Sequence, residues 1–304
     1  MSDPGTGQTT SRDGTTIGYR SLGEGPALVV LHGAVSSSQN HLELARALAP
    51  SFTVHLVDRR GRGLSGPCGD GYGIEKEVED LDAVLTATGA HDVLGVSSGA
   101  IIALHAAPRL PAVERVAAYE PPLVIEASTG VHGWTLSFVE AVMRRYDEEM
   151  ARGEISAAMV TSMKGTKMGP PVFEVLPRWL LTRLATMAMR GEERQAGPER
   201  VTMRMLAPTL HYDGQIILET AGHADDLGGI SADVLLLGGS KSPAYLRAAL
   251  DGLQKVLPEA RRVELPGIGH AGSWNRAQGG EPEVVATELG RWLAAQPGPS
   301  PLAG

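Results

Sequence analysis

The stretch Asp92–Leu104, DVLGVSSGAIIAL, limits what this chain can fold into more than any other. Asp92–Val96 is a short apolar run of strand type, and the residues after Ser98 continue as an apolar helical pattern. A strand that passes directly into a helix needs a sharp turn, and this turn spells Gly95-x-Ser97-x-Gly99. The two glycines remove Cβ atoms that would obstruct the bend. Ser97 at the apex holds its Oγ clear of the backbone. The helix that opens there points free N–H groups and its positive end at the same spot, which suits a developing oxyanion. With 38 glycines in the chain, the competing reading is a Gly/Ser turn without chemistry. No second G-x-S-x-G occurs, and the strand before and helix after are the context a nucleophile elbow requires.

More units of the same kind surround it. A polar lead, residues 1 to about 15, reads as flexible from its Gly, Ser, Thr and Asp content. Thr16–Arg20 alternates like an edge strand. Ala27–Leu31 is a continuous apolar run of the kind buried on both faces of a parallel sheet. Phe52–Val57, Val113–Tyr119, Ala232–Leu237 and Arg261–Leu265 are further strands. Helical patterns cover about Ser38 to Ala49, Ile74 to Thr88, the elbow helix to about Ala107, Ala244 to Val256 and Pro282 to Ala295. This alternation predicts an α/β fold: a mostly parallel central sheet, right-handed crossovers and helices on both faces.

The alternation stops between about Ile125 and Leu210, where Phe138–Met150, Ile155–Met163 and Trp179–Met189 read as helices. We therefore expect a core of residues 1–124 and 216–304 with a helical cap inserted at 125–215. Met1 aside, the other nine of the ten methionines lie between Met143 and Met205. They are either helical core filling or an adaptable apolar wall over a pocket. Gln296–Gly304, rich in proline, reads as a loose tail.

Several function classes are disfavoured. The net charge of −8 argues against nucleic acid as a partner. No apolar run approaches the roughly 18 residues that span a bilayer, so no membrane partner is expected. The first residues lack a signal-peptide pattern, which points to the cytoplasm. Cys68, the only cysteine, excludes an internal disulfide and reads as an incidental thiol in a Gly/Pro loop. The nine histidines contain no H-x-x-x-H pair and no Cys/His cluster, so neither a metal site nor a cofactor is expected. The acidic residues of Ile74–Thr88 (Glu75, Glu77, Glu79, Asp80, Asp82) read as a solvated face. Asp58–Pro67 carries three arginines but no Gly-Lys-Ser/Thr, so it reads as a structural loop held by Asp58 and the arginines. The expected partner is a small-molecule substrate; the oligomeric state is open.

Two further turns carry candidate chemistry. His32-Gly33-Ala34-Val35 follows an apolar strand and turns away at the sheet's carboxyl edge, where ligands bind in open α/β sheets. Gly33 lets the backbone approach a ligand, and the Ala34 N–H is free to donate. The plainer reading is a strand-to-loop turn with His32 packed locally. Pro266–Gly272, after the last strand, presents His270 on a glycine-rich loop.

Ser97 on its elbow, His270, the His32-Gly33-Ala34 turn and the Asp58–Ser65 stretch, which matches D-x-R-G-x-G-x-S, together resemble the α/β-hydrolase fold family. The resemblance covers about Thr16–Pro122 and Ile230–Ala295. It implies that Ser97 is the nucleophile, that His270 is its base and then the acid for the leaving group, and that the N–H groups of Ala34 and Ser98 form an oxyanion hole. One position departs from the pattern. Where the family carries an aspartate after the strand Asp233–Leu237, this chain has Ser242. The family also tolerates an acid after the strand that follows the elbow strand, and Glu120 stands there. We expect a Ser97–His270–Glu120 triad; the alternative is Glu120 as a structural carboxylate paired with an arginine, with Asp213 and Asp225 as other acids. The implied function is a serine hydrolase acting on a small or medium apolar ester, lactone or thioester through an acyl-enzyme. Acyl transfer, C–C bond hydrolysis and cofactor-free haloperoxidase-like activity share the triad, and a nearly inert ligand-binding homologue is the non-enzymatic alternative. A serine at the elbow argues against epoxide hydrolase and haloalkane dehalogenase activity, which use an aspartate there.

Overall fold

The computed structural model describes residues 3–169 and 172–295. Its strands are β1 Gly5–Thr10, β2 Thr16–Leu22, β3 Ala27–Leu31, β4 Thr53–Val57, β5 Asp92–Val96, β6 Arg115–Tyr119, β7 Asp233–Gly239 and β8 Arg261–Leu265. They form one sheet in the order β1-β2-β4-β3-β5-β6-β7-β8. Pairing is antiparallel from β1 to β2 and from β2 to β4, and parallel from β4 onward.

Helices α1 Leu42–Leu48, α2 Ile74–Thr88 and α3 Ser98–Ala106 connect the first parallel strands. Between β6 and β7 lie α4 Glu126–Thr129, α5 Leu136–Ala151, α6 Ile155–Thr166, α7 Val172–Val175, α8 Arg178–Gln195, α9 Met203–Leu206 and α10 Leu210–Glu219. Helices α11 Ala244–Val256 and α12 Pro282–Ala294 close the chain. One apolar cluster joins the sheet to α2, α3 and α11; a second joins the other face to α1 and α12. Residues alternate between these clusters along the inner strands, Leu28 and Val30 in one and Val29 and Leu31 in the other, as side chains of an extended strand must.

The elbow helix α3 is buried along its whole length, which explains why it is apolar all round rather than striped. Ile101 and Ile102 are fully covered, so truncating either to alanine costs about 2–5 kcal/mol. The helix starts immediately after β5, so the rigidity of that core passes directly to Ser97.

Two expectations are corrected. The lead is not flexible throughout: Gly5–Thr10 pairs antiparallel with β2, which moves Thr16–Leu22 off the edge of the sheet. A Thr-rich segment has little apolar surface to bury, but an open strand edge satisfies its backbone N–H and C=O groups. Nor is the acidic face of α2 solvated throughout, since Glu77 and Asp80 are buried and paired with Arg59 and Arg60. The tail Gln296–Gly304 lies outside the described residues.

Candidate active site

Ser97 sits between β5 and α3 with φ 56° and ψ −122°, a left-handed conformation unfavourable for a residue with a Cβ. Its N–H donates to the Tyr119 carbonyl at 2.8 Å, which anchors the elbow to β6. A Cβ on Gly99 would lie 2.4 Å from the Leu31 carbonyl oxygen, so only glycine lets α3 start so close to β3. Gly33 is equally confined: a Cβ there would stand 2.7 Å from the Ser97 Cβ and 3.4 Å from its Oγ. The turn after β3 therefore lies directly against the serine.

That turn carries its own strain. Val35, a β-branched residue, adopts φ 48°. Among the described residues the backbone N–H groups of Ala34 and Ser98 donate to no protein acceptor, and the Ser97 Oγ makes no hydrogen bond. Unpaired N–H groups beside a free hydroxyl are what a developing negative charge on an acyl oxygen requires.

The histidine arrives from the far end of the sheet. His270 begins a short 3₁₀ turn, His270–Ser273, after β8. The Tyr119 hydroxyl donates to the Gly269 carbonyl at 2.7 Å and ties this loop to β6. The His270 Nδ1–H donates to Glu120 Oε2 at 2.7 Å; in the neutral imidazole of this tautomer the lone pair lies on Nε2. Glu120 is fully buried, and Oε1 accepts the Gly239 N–H at 2.6 Å, so each carboxylate oxygen has one defined partner. Glu120 also lies at φ 48°. Val35, Ser97 and Glu120 are three of the four non-glycine residues with positive φ among the described residues. Backbone strain is thus concentrated around one spot, as at many functional sites.

The other acids are placed elsewhere. Asp213 is fully buried on α10 and pairs with Arg59 and Arg62, each at 2.7 Å. Burial alone would raise its carboxyl; the Arg62 and Arg59 guanidiniums overcome that and hold it below the usual carboxylate range. Asp225 is exposed on the 3₁₀ turn Ala224–Gly229. No arginine pairs with Glu120 among the described residues. Ser242, which the resemblance sets where the family carries an aspartate, is buried, and its Oγ has no hydrogen-bond partner among the described residues.

The Asp58 loop is held as its residues suggested. Asp58 accepts from the Ser38 N–H at 2.7 Å, the Leu64 N–H at 3.0 Å and Arg20 at 2.9 Å. Cys68 is buried, and burial raises its thiol above the ordinary value. The reading of the residues missed the Arg59–Asp213 pair under the elbow, because its members lie 154 positions apart.

Facing the site, Ala34 and Val35 pack against Tyr146, Ala158, Met159, Ala207 and Leu210 from the α5–α10 segment, with Met143, Met150 and Met203 beside them. Other methionines of the same segment, Met168, Met187 and Met205, are exposed. A separate cavity of about 260 Å³ lies between α6, α7 and α8, lined by Val160, Met163, Phe173, Leu181 and Leu184. None of the residues around Ser97 borders it. Among the described residues no cluster of three His, Cys, Asp or Glu could hold a metal ion, and no helix is long and apolar enough to cross a membrane.

Comparison with known proteins agrees with this architecture. The profile of the "Alpha/beta hydrolase family" matches residues 28–288. A pimeloyl-[acyl-carrier protein] methyl ester esterase from Xanthomonas campestris pv. campestris is 27% identical over 279 residues, covering 91% of this chain and 98% of that protein. The crystal structure of an alpha/beta hydrolase from Sphaerobacter thermophilus superimposes with a TM-score of 0.72 at 29% identity, covering 95% of this chain and 100% of that one. An esterase from Rhodococcus sp. ECU1013 shares the fold, with a TM-score of 0.64 at 21% identity over 95% of this chain and 98% of its own.

Proposed function

The chain belongs to the alpha/beta hydrolase family, and from that premise we propose that it hydrolyses a small or medium apolar ester, lactone or thioester through an acyl-enzyme on Ser97. The observation that carries this reading is the His270–Glu120 pair at 2.7 Å, which turns Nε2, the other ring nitrogen, away from the carboxylate. The Ser97 Oγ attacks the acyl carbon while its proton passes to His270 Nε2. Glu120, its second oxygen held by the Gly239 N–H, stabilises the imidazolium through Nδ1. The N–H groups of Ala34 and Ser98 receive the charge on the acyl oxygen. His270 returns the proton to the departing alcohol or thiol, then activates the water that releases the acid.

Residues 125–215 form the cap in this reading, and the methionine-lined wall packed on Ala34 and Val35 favours apolar acyl groups. The name of the Xanthomonas relative places methyl esters of carrier-bound acyl chains among the substrates to test.

The test is a series of p-nitrophenyl esters of graded length together with stoichiometric fluorophosphonate labelling. Ser97→Ala should abolish labelling and lower kcat by more than about 10³-fold. Glu120→Gln should leave the fold intact and lower kcat by about 10²–10⁴-fold. Turnover that survives Ser97→Ala would refute the acyl-enzyme. Unchanged labelling in Glu120→Gln would place the acid elsewhere.

A further inference from the structure

The oxyanion hole proposed above consists of two N–H groups on different loops, and a single arginine touches the supports of both. Arg59 Nη1 donates to Ser98 Oγ at 3.1 Å, to Asp213 Oδ1 at 2.7 Å and to the His32 carbonyl at 3.4 Å. The Ser98 hydroxyl in turn donates to Asp213 Oδ1 at 2.7 Å, so its rotamer is set from both sides. The Arg59 backbone N–H donates to His32 Nε2 at 3.2 Å.

That last contact decides a tautomer. Since Nε2 accepts, the proton of neutral His32 is on Nδ1, which donates to the Gly33 carbonyl at 2.8 Å. Burial, then the Arg62 and Arg59 charges, hold the His32 imidazole well below its ordinary value, so it stays neutral. The Gly33 carbonyl and the Ala34 N–H belong to one peptide unit. In a trans peptide they point to opposite sides, so pinning the carbonyl aims the N–H. One bracket therefore fixes the Ala34 donor through His32 and the Ser98 donor through its hydroxyl.

Arg59 could not lie here alone. Its side chain is 1% exposed and that of Asp213 is 0% exposed, and an unpaired guanidinium at such depth would be strongly disfavoured. Glu77 and Asp213 together balance the Arg59 and Arg62 guanidiniums, and Asp213 reaches both from α10, within the helical segment between β6 and β7. We propose that Asp213, acting through Arg59 and Ser98, is a positioning residue for the oxyanion hole, so that the placement of α10 sets the direction of its N–H donors. This inference rests on the acyl-enzyme reading above.

The test compares a p-nitrophenyl ester with its thiono analogue, in which sulfur replaces the acyl oxygen. Sulfur accepts hydrogen bonds weakly, so the oxo-to-thiono ratio of kcat/KM reports on the oxyanion hole and not on the base. Ser98→Ala and Asp213→Asn should lower the oxo rate about tenfold, less than the roughly 100-fold expected for outright loss of a donor. The thiono rate and the KM should change little, so the ratio falls. Glu120→Gln, a lesion on the base, should lower both rates and leave the ratio unchanged. A trifluoromethyl ketone, whose Ser97 adduct carries the same oxyanion, should bind the Ser98→Ala and Asp213→Asn enzymes correspondingly more weakly. Should Asp213→Asn not fold, Ser98→Ala decides, since it removes one hydroxyl and no charge. An unchanged ratio and unchanged ketone inhibition in the folded variants would overturn the proposal while leaving the nucleophile assignment intact. Turnover in Ser97→Ala would instead defeat the acyl-enzyme reading itself.

Discussion

Ser97, Glu120 and Val35 each occupy the left-handed region without being glycine. Such conformations cost about 1–3 kcal/mol each and persist only where surrounding structure imposes them. Ser97 is imposed on by β5, by the Tyr119 carbonyl and by the fully buried α3. Ser97→Gly should therefore abolish turnover yet raise unfolding free energy by about 1 kcal/mol, after the entropy lost to a more flexible unfolded chain. Urea denaturation measures this; a destabilised Ser97→Gly would show that the elbow is not strained. Gly33→Ala is the converse case. Its Cβ would sit 2.7 Å from the Ser97 Cβ, so either the turn or Ser97 must move. We expect at least a tenfold loss of kcat/KM, about 1.4 kcal/mol of barrier, with near-wild-type circular dichroism. Full activity in that variant would mean that the turn does not constrain the serine.

At the scale of elements, α2 shows why a charge pattern alone misleads. Its acids are similar in sequence but not in setting: Glu75 is exposed, whereas Glu77 is buried against Arg59 at 2.7 Å and Tyr72. Burial alone would raise the Glu77 carboxyl, but Arg59 holds it below its ordinary range. Glu77→Gln leaves Arg59 short of one counter-charge, so it should cost about 3–5 kcal/mol. Glu75→Gln should be silent in the same thermal melt. Equal effects from the two would refute the buried-pair account.

Across the whole molecule, four buried histidines, His32, His41, His55 and His105, make stability depend on acidity. His41 and His105 are pushed down to about 4, His41 by burial and His105 by burial with Arg109 beside it. His32 is likewise held low by burial and two arginines. An imidazole that resists protonation when folded takes up its proton more readily in the unfolded chain. Stability is then full above the ordinary value of 6.5 and is lost as pH falls from there toward about 4. At 1.36 kcal/mol per pH unit, His41 alone accounts for a loss of order 3 kcal/mol across that window. Urea midpoints at pH 8, 6 and 5 check this; a profile flat between pH 7 and 5 would contradict it.

The elements that carry their own period were legible without coordinates. Helix α2 spans Ile74–Thr88 as its apolar spacing predicted, and the elbow, a feature of five consecutive residues, lies where its glycines place it. The parallel direction of the strands from β4 to β8 was legible in the strand–helix alternation, whereas their order in the sheet was not. Glu120 could be named as a candidate only through the resemblance to the α/β-hydrolase family, which allows an acid at the end of the strand after the elbow strand. Its partnership with His270, 150 residues on, exists only once β6 and the loop after β8 lie across β7 from each other. Strand β1 was hidden because a polar hexapeptide becomes a strand only beside an open edge. The Arg59–Asp213 bracket was hidden for a related reason. Local spacing reports which face of an element is apolar, whereas a buried charge is tolerated only where a distant part of the chain supplies its counter-charge, and that is decided when the elements pack.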